Sequence, residues 1–269
     1  MYLSGKLQLV NVSDVGRRRP HNEDCCAANA RIGLAVVADG MGGYKAGEVA
    51  SAIAVSAIVE QVKAGLADLP PGEYDDATGY AKESLVVQEA IARANTAIYE
   101  VAQRDPRCEG MGTTVVLSLF YDDRVTIAHV GDSRLYRLRT DHFEQLTADH
   151  SLVQEIVRRG LLTPAEALSH TPKNLLTKAL GIEASVQADV LEDIVLPGDL
   201  YLMCTDGLND MMADQEIYLI LQKYGANLVK AAEELVDKAN AAGGHDNVSV
   251  LLARPTEQFS ARSGWYEIF

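Results

Sequence analysis

The feature that most constrains this chain is a strand-like apolar run that ends in an aspartate and a cluster of glycines. Residues 35–43 read Ala-Val-Val-Ala-Asp-Gly-Met-Gly-Gly. Glycine adopts backbone angles that end a strand, and it lets other groups approach the backbone closely. Asp39 is therefore expected at the tip of a strand with its carboxylate free. A single Asp-Gly pair on its own is more typical of a plain surface turn.

The same arrangement recurs along the chain, which favours more than a turn. Strand-like runs at 125–130 and 200–205 lead into Asp132 and Asp206, and the pair Asp246-Asn247 precedes the apolar run 248–253. Taken alone, Asp132 in Gly-Asp-Ser also fits a turn that hydrogen-bonds its own backbone. Acids at strand tips of one domain can converge, and converging carboxylates repel unless a cation lies among them. The pattern therefore predicts a cation site.

The donor types indicate which cation. Carboxylate and carbonyl oxygens select hard ions such as Mg²⁺ or Mn²⁺. The 6 histidines are scattered along the sequence, so a zinc site is not indicated. His245 beside Asp246 is either a ligand or a structural histidine. Two ions about 3.5–4 Å apart can lower the pKa of a shared water and clamp an in-line displacement at phosphorus. Asp39 is placed to bridge such ions, and the turn presents the carbonyl of Gly40.

An arginine near such a site would hold two phosphate oxygens in a bidentate fork. Arg19 lies five residues before Asp24, in a turn that begins with Gly16. It is the best candidate, whereas Arg17 and Arg18 are expected to be solvated.

Composition excludes several classes of protein. The 269 residues carry a formal charge of −14, which argues against a nucleic-acid backbone as partner. No segment approaches the roughly 18 uninterrupted apolar residues that span a bilayer, and no secretory signal is evident, so we expect no membrane partner. The 4 cysteines lack C-x-x-C spacing and are expected to be reduced, in the cytoplasm.

Periodicity predicts an α+β fold. Antiparallel strand runs alternate with helix pairs expected at 47–66 and 76–103, and at 214–224 and 227–242. The doublet Asp122-Asp123 predicts a hairpin turn. The layered sandwich that follows is favoured over a doubly wound parallel sheet, and one domain is the simplest count.

Two segments stand apart from this pattern. Residues 148–181 form a polar insert with short helices expected at 151–159 and from Thr163, which is either a flap over a site or a structural crossover. Asp149 and His150 are expected to cap the first of these helices. The tail from 256 to 269 is polar and then aromatic, and we expect a disordered end in preference to a docking segment.

Nine blocks in order carry a resemblance to a known family. The chain resembles bacterial members of the PPM family, the metal-dependent PP2C-type serine/threonine protein phosphatases, from about Asp14 to Arg254. The blocks are Gly16-Arg-Arg-Arg-Pro-His-Asn-Glu-Asp24, Asp39-Gly-Met-Gly-Gly43, Gly47-Glu-Val-Ala-Ser51, Gly110-Met-Gly-Thr-Thr114, Val130-Gly-Asp-Ser-Arg134, Leu146-Thr-Ala-Asp-His-Ser151, Leu176-Thr-Lys-Ala-Leu-Gly181, Thr205-Asp-Gly-Leu208 and His245-Asp-Asn-Val248. Any one block is weak evidence, whereas the ordered series is specific.

The resemblance implies a fold and roles for the matched positions. The fold would be a four-layer α-β-β-α sandwich, two antiparallel sheets flanked by pairs of helices, in one domain over 1–255 with 148–181 as a flap. Arg19 would bind the substrate phosphate. Asp39 would bridge two core metals, and Gly40 would coordinate through its carbonyl. Asp206 and Asp246 would hold the first metal together with Asp39.

Further positions complete the implied site. Asp24 would act through metal-bound water, with Glu23 as its neighbour. Asp132, again with Asp206, would bind a third metal. Animal relatives place a histidine after the Asp-Gly pair, where it is proposed to protonate the leaving group, but Met41 occupies that place here. The sequence therefore identifies no protein general acid.

The function implied is Mn²⁺- or Mg²⁺-dependent hydrolysis of phosphoserine and phosphothreonine on proteins, with metal-activated water attacking phosphorus and a cognate kinase opposed. Phosphorylated proteins and that kinase with its substrates would be the partners of a cytoplasmic, bacterial, monomeric enzyme. Two alternatives remain at this point. One is a phosphatase for small phosphate esters, and the other is a catalytically idle module that binds phosphorylated partners.

Overall fold

The strands of this chain form two antiparallel sheets. The computed structural model describes residues 3, 5–43, 45–172 and 175–260, with the backbone alone at 164, 165 and 168. Numbered in chain order, the strands of the five-stranded sheet lie in the spatial order β1 (Leu7–Asp14), β11 (Val248–Pro255), β10 (Leu200–Cys204), β7 (Arg134–Arg139) and β8 (His142–Gln145). The six-stranded sheet has the order β2 (Asp24–Asn29), β3 (Leu34–Met41), β5 (Val115–Tyr121), β6 (Arg124–Val130) and β9 (Asp189–Ile194), and β4 (Gly112–Thr113) pairs with the end of β3.

A pair of helices covers the outer face of each sheet. Helices α1 (Ala46–Gly65) and α2 (Lys82–Arg104) pack on the six-stranded sheet, and α6 (Asp214–Tyr224) and α7 (Leu228–Ala241) pack on the other. Shorter helices are α3 (Leu152–Arg158), α4 (Pro164–His170) and α5 (Asp206–Asn209), with a 3₁₀ turn at Pro106–Cys108. The predicted four-layer α-β-β-α sandwich is confirmed. Within the described residues, every helix is too short or too polar to cross a bilayer.

The central strands are apolar on both faces because protein covers both. In β3, Val36 and Ala38 face the helices, whereas Ala35 and Val37 face the opposite sheet. In β10 the same division places Leu202 toward the helices. This continuous burial explains why a strand such as Leu34–Ala38 reads as an unbroken apolar run that stops at its acidic tip.

The predicted hairpin turn is confirmed. Asp122 and Asp123 connect β5 to β6 and both have positive φ, +42° and +55°. Two consecutive left-handed residues match the twist of the flanking strands, and aspartate tolerates that conformation better than most residues.

Two element boundaries differ from the sequence-based expectation. Strand β2 was not predicted, and β3 begins at Leu34, one residue before the apolar run 35–38. Helix α2 begins at Lys82 instead of 76, because Asp75 accepts hydrogen bonds from the amide and hydroxyl of Thr78 and holds the preceding residues in a turn. An aspartate that bonds nearby backbone competes with helix formation.

The insert and the tail have defined packing where they are described. The insert holds α3 and α4, and the predicted capping of α4 is confirmed by reciprocal bonds between Thr163 and Glu166. In the tail, Phe259 is 2% exposed in the core between the sheets. The expectation of a disordered end is therefore wrong for 256–260. The aromatic part at 265–269 lies outside the described residues.

Candidate active site

The end of β3 carries the central acid of the site. Asp39 is the direct cross-strand partner of Asp24 in the β2–β3 pair, so both carboxylates lie at the same end of the six-stranded sheet. The carbonyl of Asp39 accepts hydrogen bonds from the Thr114 amide at 2.8 Å and the Thr113 hydroxyl at 2.7 Å. These bonds fix the backbone of Asp39 and leave its carboxylate to face the other acids.

The five-stranded sheet supplies two more acids. Asp206 follows β10 and Asp246 precedes β11, and because these neighbouring strands are antiparallel, both acids lie at one end of the sheet. The residue after Asp206 must be a glycine, since a Cβ on Gly207 would lie 1.9 Å from the carbonyl oxygen of Asn247. That close approach brings the two acids together.

A hydrogen bond joins the two sheets at this end. The hydroxyl of Thr205, just after β10, donates to Oδ2 of Asp24 at 3.0 Å, and the same hydroxyl accepts from the amide of Ser249 on β11. Acids on both sheets therefore face one another.

Asp132 is the remaining predicted acid. It lies between β6 and β7. Its charge contributes to the raised pKa values of Asp206 and Asp39. Asp132 therefore lies near the same group of acids.

The pKa values of these acids show how unfavourable the cluster is without a counter-ion. Each acid is partly accessible to solvent at one edge and enclosed by protein on its other sides. Burial, followed by neighbouring carboxylates, raises the pKa of Asp206 to about 8 and that of Asp39 well above its ordinary value. Burial likewise raises the pKa of Asp24 and that of Asp132 to about 6. Like charges brought together in this way favour a bound cation.

Single oxygen atoms point to the same conclusion. Oε1 of Glu23, Oδ1 of Asp24 and Oδ1 of Asp206 are buried without a hydrogen-bond partner among the described residues. A buried carboxylate oxygen without a partner is costly unless a proton or a metal ion binds it. The donor set is all oxygen, as Mg²⁺ and Mn²⁺ prefer, so the residues present fit divalent cations.

Gly40 brings the end of β3 against the start of α1. Its amide donates to the carbonyl of Glu23 at 3.1 Å, and a Cβ on Gly40 would lie 2.0 Å from the carbonyl oxygen of Gly47. Only glycine permits this contact. Gly40 and Glu23 therefore lie beside the acid cluster, as the sequence predicts.

Arg19 lies at the rim of the cluster. Its Nη2 donates to Oδ2 of Asp246 at 2.6 Å, and its side chain is 49% exposed. That hydrogen bond raises the pKa of Arg19, and the carboxylates of Glu23 and Asp39 add to the effect. A guanidinium has five N–H donors, so the bond to Asp246 leaves others for an anion.

Asn247 is a structural residue that the sequence analysis left without a role. Its Oδ1 accepts from the amide of Glu23 at 2.8 Å, and its Nδ2 donates to the carbonyls of Val15 and His21 at 2.9 Å each. Asn247 thereby fastens the loop that carries Arg19 to the start of β11. The available signal was a polar residue directly before a strand that is buried on both faces.

Three further polar residues near the site were considered in the sequence, namely Asp149, His150 and His245. The expectation that Asp149 and His150 cap α3 is wrong, because the side chain of Ser151 accepts from the amide of Gln154. Asp149 instead forms a two-pronged ion pair with Arg134. His245 is exposed.

Two histidines that are distant in the sequence meet near the insert. The rings of His129 and His150 stack with centroids 4.6 Å apart, and together with Asp189 they offer ligand atoms within 4.8 Å of one another. However, Nδ1 of His150 accepts from the amide of Gly131, so in the neutral ring its proton is on Nε2, which faces Asp189 at 3.3 Å. Histidines that are far apart in the sequence therefore lie together in the fold. Their ring planes are parallel, so their nitrogen lone pairs do not converge on one cation.

Comparison with known proteins places this chain in a family. A family model described as "Protein phosphatase 2C" matches residues 17–244. The chain belongs to the protein phosphatase 2C family.

Relatives in the PP2C family extend over most of the chain. Serine/threonine phosphatase stp of Listeria innocua is 38% identical over 243 residues, which cover 89% of this chain and 92% of the relative. The crystal structure of the Mycobacterium tuberculosis serine/threonine phosphatase PstP/Ppp superposes with a TM-score of 0.82 at 36% identity, over 93% of this chain and 99% of that one. The structure of the catalytic domain of PstP in complex with two manganese ions has a TM-score of 0.80 at 35% identity, over 93% and 99% of the two chains.

These comparisons confirm the predicted family and the predicted class of enzyme, a PP2C-type protein phosphatase and hence a hydrolase. The PP2C family is metal-dependent, and the similar PstP structure holds two manganese ions. The roles of individual residues in this chain remain predictions.

Proposed function

We propose that this PP2C protein hydrolyses phosphoserine and phosphothreonine on other proteins in a reaction that depends on divalent cations, and that it opposes a cognate kinase. The single observation that supports this most is the meeting of Asp39, Asp206 and Asp246 from two sheets beside one arginine. The relatives named serine/threonine phosphatase support the choice of substrate class.

The acids divide naturally among the ions. Asp39 would bridge a pair of ions, the carbonyl of Gly40 would coordinate an ion, and Asp206 and Asp246 would hold the first ion together with Asp39. Bound cations would supply a water of lowered pKa and would neutralise charge that develops on the phosphoryl group.

The outer positions would complete the metal centre. Asp24, with Glu23 beside it, would hold the second ion through water. Asp132 would share a third ion with Asp206, and burial raises the pKa of both acids. Mn²⁺ and Mg²⁺ both suit these donors.

Arg19 would orient the substrate. Its free N–H groups would bind two phosphate oxygens in a fork, while the bond to Asp246 keeps the guanidinium at the rim of the metal centre. Met41 carries no exchangeable proton, so this position does not protonate the leaving hydroxyl.

The setting follows from the same proposal. Phosphorylated proteins would be the substrates of a cytoplasmic monomer whose catalytic domain spans 1–255, with 148–181 as a flap beside the site and a tail from 256 to 269.

A paired substitution tests the proposed function. We expect the Asp206→Asn variant to lose at least about 10²–10³-fold in Mn²⁺-dependent phosphate release from a phosphothreonine peptide, because the centre loses a carboxylate shared by two ions. Asp237→Asn, at an exposed position on α7, is the matched control and should keep wild-type activity. Equal activity of the Asp206→Asn variant and the wild type would reject the site.

The same assay separates the alternatives. Faster turnover of free metabolite phosphates than of phosphopeptides would favour a phosphatase for small esters. Calorimetry that shows neither Mn²⁺ nor Mg²⁺ binding would favour an idle binding module.

A further inference from the structure

An apolar pocket of about 310 Å³ adjoins the proposed metal centre. Its volume lies at the lower end of the range of about 300–1,000 Å³ typical of ligand sites. The lining residues are Met41, Leu176, Thr177, Lys178, Ala179, Ile182, Glu183 and Val186. The pocket therefore lies between the end of β3 and the segment 176–186, which leads from the insert to β9.

Backbone pairing connects this pocket to Asp39. At the end of β3, Met41 pairs with Gly112 of β4. The next residue of β4, Thr113, exchanges amide–carbonyl hydrogen bonds with Leu180, at 3.1 and 2.9 Å. The backbone pairing thus extends sideways from the acidic tip, from β3 through β4 to Leu180 beside the pocket, and two such spacings amount to about 10 Å.

Gly112 shapes the wall of the pocket. A Cβ there would lie 2.8 Å from Cε of Met41 and 2.9 Å from Cδ1 of Ile182, so the missing side chain lets these two apolar groups meet. Ile182 is 48% exposed. Methionine adapts its shape to different partners, which suits a surface that must accept more than one side chain.

The charges around the pocket favour an uncharged occupant. Nζ of Lys178 is bonded to Asp189 at 3.0 Å, and Glu183 is exposed to solvent. The surface that remains is formed by Met41, Ile182 and the neighbouring aliphatic side chains, which gain from contact with apolar groups.

We propose that this pocket binds an apolar side chain of the substrate protein, two to four residues from the phosphorylated residue. The inference rests on the proposed function and specifies which substrates it prefers. A phosphorylated residue is part of a polypeptide, so its neighbours lie on the surface around the metal centre. An extended chain advances about 3.3 Å per residue, so about 10 Å corresponds to about three residues.

A set of phosphothreonine peptides tests the proposal. The flanking residues are all alanine except for one leucine, which is moved from four residues before the phosphothreonine to four residues after it. We expect kcat/KM of the wild type for the best leucine peptide to exceed that for the all-alanine peptide about tenfold, since the leucine buries apolar surface.

Substitutions of Ile182 locate the effect. The ratio between the two peptides should fall to about one in the Ile182→Asp variant and should be retained in Ile182→Leu. Ile194→Asp is the matched control, because Ile194 is 56% exposed at the end of β9, pairs with Arg124 and does not line the pocket, so this variant should keep the tenfold ratio. Each variant serves as its own reference, so a general loss of activity does not disturb the comparison.

The outcomes separate the two proposals. A wild type that hydrolyses all the peptides equally, or an Ile182→Asp variant that keeps the leucine preference, would overturn the pocket and leave the enzyme intact. A wild type that hydrolyses none of the phosphopeptides with Mn²⁺ would overturn the proposed function itself.

Discussion

Two aspartates next to β10, one at each end of the strand, have opposite surroundings. Asp199 precedes β10 and is 2% exposed, and its oxygens accept from Nε and Nη2 of Arg139 at 2.8 Å each and from the amide of Leu196 at 2.9 Å. Asp206 follows β10, is more accessible, and has Oδ1 without a partner among the described residues. Its charged neighbours are Asp132, Asp246, Asp210 and Asp24.

The difference separates a structural acid from a functional one. The charge of Asp199 is neutralised inside the protein, so this carboxylate stabilises the junction of β7 and β10. The negative charge of Asp206 is repelled by the neighbouring carboxylates, so in the absence of a cation it lowers the stability of the folded protein. The more deeply buried acid is the one whose charge is satisfied, so the presence of a partner, and not the depth of burial, marks the structural acid.

The largest expected effect is an opposite change in stability. In the metal-free protein at pH 8, Asp199→Ala should lower the free energy of unfolding by about 3 kcal/mol, because Arg139 loses its partner. Asp39→Asn should raise it by about 1 kcal/mol, because the wild-type carboxyl must either keep its charge among like charges or take up a proton on folding, whereas an amide does neither. Urea unfolding measures both free energies. If both substitutions changed the free energy of unfolding in the same direction, the contrast between a stabilising structural acid and a destabilising site acid would be wrong.

The second effect concerns metal binding. Mn²⁺ at 100 times its dissociation constant should raise the free energy of unfolding of the wild type by about 2.7 kcal/mol, because it binds the folded state alone. Chelation with EDTA should reverse the change. The Asp199→Asn variant should respond to Mn²⁺ like the wild type and Asp39→Asn should not, as thermal unfolding would show. If Mn²⁺ stabilised both variants equally, the metal would not bind at the acid cluster.

The smallest effect is a dependence of stability on pH. The pKa of Asp206 is about 8 in the folded protein and that of an unfolded aspartate is about 3.9, so the folded state binds more protons between these values. Folding therefore becomes more favourable as the pH falls through 8, by at most about 1.4 kcal/mol per pH unit for one group. Metal-free protein unfolded in urea between pH 8.5 and 6.5 should show this rise, and Asp206→Asn should reduce it. A flat profile for the wild type would contradict the raised pKa.

The acids of the site were predictable because their signal is local. At Asp39 and Asp206 a run of buried residues gives way to an acid and a glycine, and that boundary is visible in the sequence. The glycines carry the second half of the signal, since Gly40 and Gly207 permit the close contacts that bring the acids together. The layered fold followed for the same reason, because each long helix and each buried strand has its own periodicity.

What could not be predicted depends on contacts between distant segments or on weak local patterns. Strand β2 is an edge strand whose residues are mostly half-buried, so it lacks the apolar run of β3. The stacking of His129 on His150 and the bonds of Asn247 join segments that only the folded chain brings together. Phe259 packs between the sheets although the residues around it are polar.

The bond from Thr205 to Asp24 has a further consequence. It spans the seam between the two sheets, with Asp24 and Asp39 at the edge of one sheet and Asp206 and Asp246 at the edge of the other. A cation at this seam would hold the two sheets together. Catalytic activity would then depend on the alignment of the two sheets, and a shift of one sheet relative to the other would abolish activity without unfolding either.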